Sequence, residues 1–399
     1  MADENSYICE ETEWCPMKNQ QAQTLQLVKD AANMEGATMR DIFELMDQFG
    51  HEQVIFCRHP QSGLKAIIAI HNTTMGPALG GCRMAPYATT DEALEDVMRL
   101  SRGMTYKCGV VDVDFGGGKA VIIGDPSRDK TPELFRAFGR FVGGLNGRFF
   151  TGTDMGTDPE DFVHAARESD SFVGLPKSYG GSGDTSIPTA FGVLQGMRAT
   201  AEHLWGSPSL QGRVVAVQGA GKVGTRLVQL LVEEGARVVV ADIDASRVKV
   251  LCDQYPDKVE PGDIQTIHQT ACDIFSPCAK GGVINDRTIA ELQCQAIVGS
   301  ANNQLAEDRH GDMLHQMGIL YAPDYLVNAG GLIQVADELK GYNEERVMAK
   351  TRSIYQMLLR IYQLSREEDI PTYRAANRLV VKRLEQVADL RRILLGFTR

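Results

Sequence analysis

Several common signals are missing from this chain of 399 residues, and each absence excludes a class of protein. The nine cysteines form no CxxC pair, so we expect reduced thiols, as in a cytosolic protein, rather than a disulfide framework. The eight histidines show no HxxxH or HExxH spacing, so we expect no metal site. No apolar run approaches the roughly 18 residues that a membrane helix needs.

Positive charge is also in short supply. The chain has 41 lysines and arginines against 52 acidic residues, a net charge of −11 that repels phosphate backbones and disfavours nucleic acid as a partner. The acidic start, MADENSYICEETEWC, has no apolar segment typical of a secretory signal. A hydrophobic content of 43% over this length predicts two or three domains with sizeable cores. We therefore expect a soluble cytoplasmic protein with no membrane partner.

The first half of the chain alternates helical and strand-like patterns. Residues 1–36 are polar without a clear period and are interpreted as an N-terminal arm. A helical pattern begins near Met39 and ends at Gly50, and two β-rich runs around a turn at residues 60–63 predict a hairpin. The stretch of residues 178–192, rich in glycine and serine, has the composition of a hinge or a mobile active-site loop.

The second half of the chain has a different pattern of predicted elements. Strand-like runs alternate with helical segments of 10 to 15 residues, which predicts βαβ units and a parallel sheet. Residues 318–331, GILYAPDYLVNAGG, continue the strand-like series. After Gly341 a charged helical pattern predicts two or three helices.

The strongest local signal is VVAVQGAGKVGTRLVQLL, in which a GxGxxG loop follows an apolar strand and opens a helix. The predicted cofactor loop comprises Gly219, Gly221, Lys222, Val223 and Gly224. Asp242 ends the next strand, 18 residues after Gly224, where a carboxylate can accept both ribose hydroxyls. That negative charge favours NAD over NADP, although the nearby Arg247 leaves NADP open.

A second signal is DFGGGKAVI, with three glycines before Lys119. The phosphate-loop pattern does not fit, because Val113 and Ala120 stand where glycine and a hydroxyl residue are needed. Glycines beside a strand leave a side-chain-free space for a substrate, and a lysine held in such a space near a second cation can act as a base. Lys107, 12 residues earlier, is the candidate second cation. The residues alone leave open that both lysines are solvated surface charges.

Seven motifs occur in order from about residue 37 to the C-terminus. They are TMGPALGGCRM, MTYKCGVVDVDFGGGKAVI, TGTDMGT, SIPTAFGV, GAGKVG, GSANNQL and LVNAGGLIQVADE. Together they resemble the glutamate/leucine/phenylalanine/valine dehydrogenase family, and most closely its leucine and phenylalanine branch. The resemblance implies NAD as cofactor, a homo-oligomer, and reversible oxidative deamination of an L-amino acid to a 2-oxo acid and ammonia.

The resemblance also implies roles for individual residues. By their place in the motifs, Lys107 grips the substrate α-carboxylate, Lys119 is the catalytic base and Asp154 exchanges protons with the amino group. Further substrate-binding positions are Gly80, Gly81, Met104 and Asn328. Further cofactor-binding positions are Thr189, Ala301 and Asn302.

Four positions indicate which amino acid is used. Glutamate-acting members carry a lysine before the Gly-Gly pair, whereas Leu79 stands here, and a buried carboxylate without a partner would cost several kcal/mol. Gly152 and Leu332, with Val335 completing the wall, resemble aromatic-acting members, because losing a methyl at residue 152 makes room for a ring. We expect phenylalanine or another aromatic amino acid, tryptophan included. Branched-chain amino acids are the alternative, as is an inactive dinucleotide-binding regulatory protein.

The predicted fold class is α/β, with two domains around a cleft. Residues 37–187 form the substrate domain, residues 188–364 form a Rossmann, doubly wound NAD-binding domain, and the last helices, about 365–399, pack back on the first domain.

Overall fold

The fold is described by a computed structural model for residues 41–394, with side chains described as far as residue 391. The predicted arm of residues 1–36 lies outside the described residues. Helix α1, Ile42–Phe49, confirms the first helical pattern, and Gly50 follows it with a φ of +77° that favours glycine. Residues from Phe49 onward cluster as one unit, and the remaining elements belong to it.

The first sheet is mixed and has six strands. They are β1 (Gln53–His59), β2 (Leu64–Asn72), β3 (Ala78–Leu79), β4 (Cys82–Ala85), β5 (Gly116–Ile123) and β6 (Phe149–Phe150). The order is β1-β2-β5-β3-β6, and β4 pairs with the later part of β5. The antiparallel pairing of β1 with β2 confirms the hairpin. Because β3 and β4 share β5 as a neighbour, the break at Gly80 and Gly81 lies beside Gly118 and Lys119.

Two helices pack against this sheet, α2 (Thr90–Val110) and α3 (Pro132–Gly143). A third helix, α4 (Pro159–Ala165), packs on α3. The hydroxyl oxygens of Thr89 and Thr131 accept backbone N–H groups at the starts of α2 and α3, as N-cap residues do. Phe135, Phe138 and Phe162 are buried in one hydrophobic core together with residues of the sheet.

The glycine triplet Gly116–Gly118 does not leave space for a substrate. A Cβ on the first glycine would overlap with the backbone of Asn72, and one on the second with the backbone of Thr105 in α2. That sequence-based expectation is wrong, because protein fills the space beside the glycines. The triplet instead lets α2 pack directly on β5, and these two elements carry Lys107 and Lys119.

The second sheet is parallel throughout. Its strands are β7 (Val214–Gln218), β8 (Arg237–Ala241), β9 (Val259–Pro261), β10 (Cys272–Pro277), β11 (Cys294–Ile297) and β12 (Leu320–Tyr321). The spatial order β9-β8-β7-β10-β11-β12 is the doubly wound arrangement, which confirms the predicted fold class. Ligands of such sheets bind beyond the carboxyl ends of the strands where the order reverses, here between β7 and β10.

The helices of this half correct two predicted segments. They are α5 (Ser186–Trp205), α6 (Lys222–Glu233), α7 (Ala245–Gln254), α8 (Asp308–Gln316), α9 (Asp324–Val327) and α10 (Gly330–Glu338). The loop predicted over residues 178–192 ends before Ser186, since Pro188 falls in the first turn of α5, where proline is tolerated. Only two residues of the strand predicted over 318–331 are extended, because a short apolar run does not distinguish a buried helix from a strand.

Three C-terminal helices confirm the charged helical pattern. They are α11 (Glu344–Arg352), α12 (Ile354–Glu368) and α13 (Thr372–Leu394). Helix α13 packs on α2 at Gly109 and Val380, and its first residue, Thr372, donates a hydrogen bond of 2.6 Å to the carbonyl oxygen of Tyr321 in β12. The last helix therefore contacts elements of both halves, while the exact domain boundaries stay a prediction. Between residues 41 and 394, no helix combines the length and the apolar character required to cross a lipid bilayer.

Candidate active site

One cavity of about 610 Å³ collects most of the predicted site residues. Those that line it are Leu79, Gly80, Gly81, Met104, Lys107, Lys119, Gly152, Asp154, Thr189, Val223, Asn302, Asn328, Leu332 and Val335. Six predicted cofactor residues lie outside its lining: Gly219, Gly221, Lys222, Gly224, Asp242 and Ala301. A larger groove of about 710 Å³, beside Gln195 and Arg198, contains none of the predicted residues. The chemistry-bearing groups thus converge in the smaller space.

Lys107 and Lys119 reach this cavity from different elements. Lys107 lies in the last turn of α2, three residues after Met104, so both side chains project from one face of the helix. Lys119 lies in β5 and is 7% exposed. Because α2 packs directly on β5, the structure brings both ammonium groups to the same cavity.

Lys119 forms an ion pair with Asp154, which follows β6. The other oxygen of Asp154 accepts a hydrogen bond of 2.6 Å from the backbone N–H of Met155. Burial alone would raise the pKa of Asp154, but the charge and hydrogen bond of Lys119, with the guanidinium of Arg83, outweigh it and hold that pKa below its usual value. Asp154 is therefore a carboxylate in direct contact with Lys119, close enough for a proton to pass between the two groups.

Lys107 has no ion pair within 4.0 Å among residues 41–394, unlike Lys119. Burial lowers the pKa of Lys107 to about 8, the carboxylate of Asp324 opposes the shift, and the ammonium of Lys119 adds to it. A half-buried ammonium without a close counterion is suited to bind an anionic group of a ligand.

Two asparagines meet at the side of the cavity that belongs to the second half of the chain. Nδ2 of Asn328 donates to Oδ1 of Asn302 at 2.7 Å and to the carbonyl oxygen of Ser300 at 3.2 Å. Oδ1 of Asn328 is buried and has no hydrogen-bond partner within the described part of the chain. Buried acceptors are nearly always satisfied, so this one is available to a donor on a ligand.

The wall of the cavity corrects an expectation about Gly152. A Cβ on Gly152 would overlap with the carbonyl oxygen of Val173, so the methyl would point at that backbone. The idea that the missing methyl directly enlarges the pocket is therefore wrong. Glycine at this position instead lets the segment of Val173, which itself lines the cavity, come close. Leu79 and Leu332, 1% and 8% exposed, are apolar parts of the same lining.

The glycine loop after β7 fits a dinucleotide. Gly219 has a φ of +109°, which a tight turn of this kind requires of glycine. A Cβ on Gly224 would overlap with the carbonyl oxygen of Gly219, so the third glycine allows helix α6 to approach the strand. Gly221 has no heavy atom within 4 Å of an added Cβ, so the backbone at the start of α6 is open to a pyrophosphate.

Asp242 holds this loop from the end of β8. One of its carboxylate oxygens accepts from the N–H of Ala220 at 2.6 Å, and the other from the N–H of Asp244 at 2.8 Å. Each carboxylate oxygen can accept about two hydrogen bonds, so acceptor sites are left for ribose hydroxyls. Arg247, the residue that keeps NADP open, is paired with Asp244 at 3.2 Å.

Two glycines of this loop, Gly221 and Gly224, provide a matched pair of variants. We expect Gly221→Ala to fold normally and to weaken NAD⁺ binding about tenfold, because the new methyl enters the space left for the pyrophosphate. Gly224→Ala should lower the melting temperature by about 5 °C, because its methyl meets backbone. Thermal unfolding and an NAD⁺ titration followed by protein fluorescence measure both effects. Unchanged NAD⁺ affinity in Gly221→Ala would contradict the placement of the pyrophosphate.

Sequence reasoning missed two charged residues of the site. Nε of Arg83 is buried without a hydrogen-bond partner and lies 3.8 Å from a carboxylate oxygen of Asp154, while its Nη1 donates to Asp96 at 2.8 Å. Asp324 lies near Lys107 and accepts the N–H of Gln304 at 2.8 Å. Neither residue stands in a spacing that indicates chemistry, and only the fold places them beside the cavity.

A doubly wound domain with an open dinucleotide loop, beside a cavity that holds a lysine–aspartate pair and a second lysine, defines an oxidoreductase of the two-domain dehydrogenase class. Comparison with known proteins specifies the class further. Residues 51–171 match the family model "Glu/Leu/Phe/Val dehydrogenase, dimerisation domain", and residues 180–250 and 240–392 match "Glutamate/Leucine/Phenylalanine/Valine dehydrogenase". The chain belongs to this family of amino acid dehydrogenases, whose members use NAD(H).

Individual relatives are similar over most of the chain. A phenylalanine dehydrogenase of Thermoactinomyces intermedius is 71% identical over 90% of this chain and 98% of its own length. A leucine dehydrogenase of Geobacillus stearothermophilus is 51% identical over 88% of this chain and 95% of its own. The crystal structure of an L-tryptophan dehydrogenase from Nostoc punctiforme has a TM-score of 0.79 and 43% identity, covering 87% of this chain and 99% of that one.

Proposed function

We propose that the protein catalyses the reversible, NAD-dependent oxidative deamination of an apolar, preferably aromatic, L-amino acid to the 2-oxo acid, ammonia and NADH. The observation that carries the proposal is a single cavity that contains Lys107, the Lys119–Asp154 pair and the side-chain oxygen Oδ1 of Asn328, which has no hydrogen-bond partner within the described part of the chain. This set offers one cation for a carboxylate, a proton-transfer pair for the amine and water chemistry, and an acceptor for the amino group.

Lys107 binds the substrate α-carboxylate in this proposal. Its ammonium has no competing counterion within 4.0 Å among residues 41–394, and Lys107 lines the cavity. Gly80 and Gly81 line the same region and present backbone without a side chain. The carboxylate is thus held at one point, which orients Cα and its hydrogen.

Lys119 and Asp154 carry the proton transfers. When bound, NAD⁺ supplies the acceptor for the hydride that leaves Cα. Lys119 then removes a proton from the water that adds to the substrate iminium carbon. Asp154 exchanges a proton with the substrate nitrogen, which leaves as ammonia, and its ion pair with Lys119 provides the route between base and acid. Thr189 and Asn302 line the cavity where they can orient the nicotinamide.

The apolar wall supports an uncharged substrate side chain. Leu79, which is 1% exposed, stands where glutamate-acting members carry lysine, so a distal carboxylate would lack that cation and face an apolar side chain. Leu332, Val335 and Val173 complete this wall. The relatives named phenylalanine and L-tryptophan dehydrogenase support an aromatic preference, and the leucine dehydrogenases support a branched-chain side activity.

A preference for NAD rests on the contacts of Asp242 and Arg247, and the assembly on the family match. Asp242 has acceptor sites left for the adenosine ribose hydroxyls and Arg247 is paired with Asp244, which supports NAD rather than NADP as the cofactor. A homo-oligomer is supported by the match of residues 51–171 to a dimerisation domain.

A substrate profile tests the proposal. We expect NADH formation in alkaline buffer with kcat/KM highest for phenylalanine or tryptophan, lower for leucine and valine, and at least about 100-fold lower for glutamate, whose distal carboxylate would meet Leu79 where glutamate-acting members carry lysine. Absorbance at the NADH band measures each rate. Absence of NADH with every amino acid would favour the rival interpretation, an inactive dinucleotide-binding regulatory protein. A higher kcat/KM for leucine than for phenylalanine would show that the preferred substrates are branched-chain amino acids.

A further inference from the structure

Glu338, the last residue of α10, joins two distant segments of the chain. One of its carboxylate oxygens accepts the N–H of Gly174 at 2.7 Å, and the other accepts the N–H of Ser182 at 2.8 Å and the Ser182 hydroxyl. Nε2 of Gln334, one turn earlier in α10, donates to the same hydroxyl at 2.8 Å. Both ends of the segment 174–183 are therefore fixed to one helix.

The same helix forms a wall of the substrate cavity. Gly331, Val335 and Glu338 are spaced i, i+4 and i+7 and so lie along one face. The first two line the cavity, and Glu338 continues their face by one turn. Opposite them, Gly174 lines the cavity, and a Cβ on it would lie 3.9 Å from Cγ1 of Val335. The carboxylate of Glu338 thus sets the distance between α10 and the segment of Gly174, which form two walls of the pocket for the substrate side chain.

The fixed segment has little structure of its own. It contains one short 3-10 turn, Lys177–Tyr179, and three glycines with positive φ: Gly174, Gly180 and Gly183. Glycine-rich backbone of this kind has many alternative conformations, so its position depends on the contacts that hold it. Tertiary contacts to Glu338 and Gln334 supply that constraint where local structure does not.

From these contacts we propose that Glu338 is a positioning residue for substrate specificity. By holding segment 174–183 against α10 it fixes the width of the pocket for the substrate side chain, without touching the substrate. The inference rests on the proposed function, because it concerns the side chain of an amino acid substrate. It assigns to the glycine-rich segment a role in selectivity rather than in proton or hydride transfer.

Glu338→Gln tests this role with little change in volume. The amide nitrogen that replaces one oxygen would face an N–H donor, so the segment is released at one end. We expect the ratio of kcat/KM for phenylalanine to that for leucine to fall by about fivefold or more, chiefly through KM, because pocket walls discriminate such substrates by differences of this size. Ser182→Ala, which removes only the hydroxyl contacts, should shift the ratio in the same direction by less.

Asp337→Asn is the matched control. Asp337 is the neighbouring carboxylate of α10, but it accepts hydrogen bonds from Arg346 and from the N–H of Asn343, away from the cavity. Asp337→Asn should lower the melting temperature and leave the ratio of kcat/KM for phenylalanine to that for leucine unchanged. If Glu338→Gln lowers the melting temperature as Asp337→Asn does and keeps the ratio within twofold of the wild type, Glu338 is merely structural and the proposal is wrong.

Hydrogen–deuterium exchange separates this proposal from the proposed function. Exchange of amides in residues 174–183 should be faster in Glu338→Gln than in the wild type or in Asp337→Asn, whatever the substrate is. If exchange in Glu338→Gln is unchanged, Glu338 does not hold residues 174–183 in place, and the proposal is wrong even if the enzyme is active. A wild type that oxidises no amino acid would refute the proposed function while leaving the exchange result as it stands.

Discussion

Lys119→Ala should lower kcat by about 10²–10⁴-fold while NAD⁺ binding stays close to that of the wild type. The variant removes the group to which the proposed function assigns removal of a proton from the attacking water. It also leaves Asp154 without its ion-pair partner, so the route between base and acid is lost with the base. NAD⁺ affinity should persist because Lys119 lies in β5 of the first sheet, whereas the cofactor loop follows β7 of the second. Steady-state NADH formation and an NAD⁺ titration measure the two quantities.

Lys65→Ala is a matched control for this variant. Lys65 lies in β2, the strand that pairs with β5, but its side chain is exposed and outside the cavity. We expect normal turnover from it. A Lys119→Ala enzyme with near-normal kcat would show that another group acts as the base, and the roles given to the Lys119–Asp154 pair would have to be abandoned.

Local patterns with a strong physical cause could be predicted from the sequence. The GxGxxG loop has a strand before it and a helix after it, and each of its glycines satisfies a separate requirement: a positive φ at Gly219, open space at Gly221 and close packing at Gly224. The hairpin of β1 and β2 follows in the same way from two β-rich runs and a turn of fitting length. Such signals lie within about 25 residues of each other, so tertiary structure is not needed to see them.

Features that depend on tertiary contacts could not be predicted. The side-chain-free space expected beside Gly116–Gly118 is filled by Asn72 and α2, and a Cβ on Gly152 points at a backbone carbonyl rather than at the cavity. In each case the sequence indicates where glycine is needed but not which atoms come close. Arg83 and Glu338 were missed for the same reason. Asp154, which lies beside Arg83, is more than 70 residues away in the chain, and Ser182, which is bonded to Glu338, is more than 150 residues away.

Lys107→Met should raise the KM for the amino acid on the order of 100-fold, with a smaller effect on kcat. The substitution keeps most of the side-chain volume and removes the cation that we propose binds the α-carboxylate. Removing one partner of a buried charge pair costs about 2–5 kcal/mol, and each 1.4 kcal/mol is a tenfold change in affinity. Inhibition by a non-reacting carboxylate analogue of the substrate measures the same contact without turnover and should weaken in parallel.

The pH dependence of this contact provides an independent check. Because burial lowers the pKa of Lys107 to about 8, its ammonium is largely formed below that pH and is lost above it. The analogue's inhibition constant should therefore be flat below pH 8 and rise about tenfold per pH unit well above it. Binding of the carboxylate favours the charged form, so the pKa of Lys107 in the complex should be higher than in the free enzyme. In Lys107→Met the rise should disappear. A rise that persists in the variant would assign the carboxylate to another cation, and Arg83, which also lines the cavity, would be the first to test.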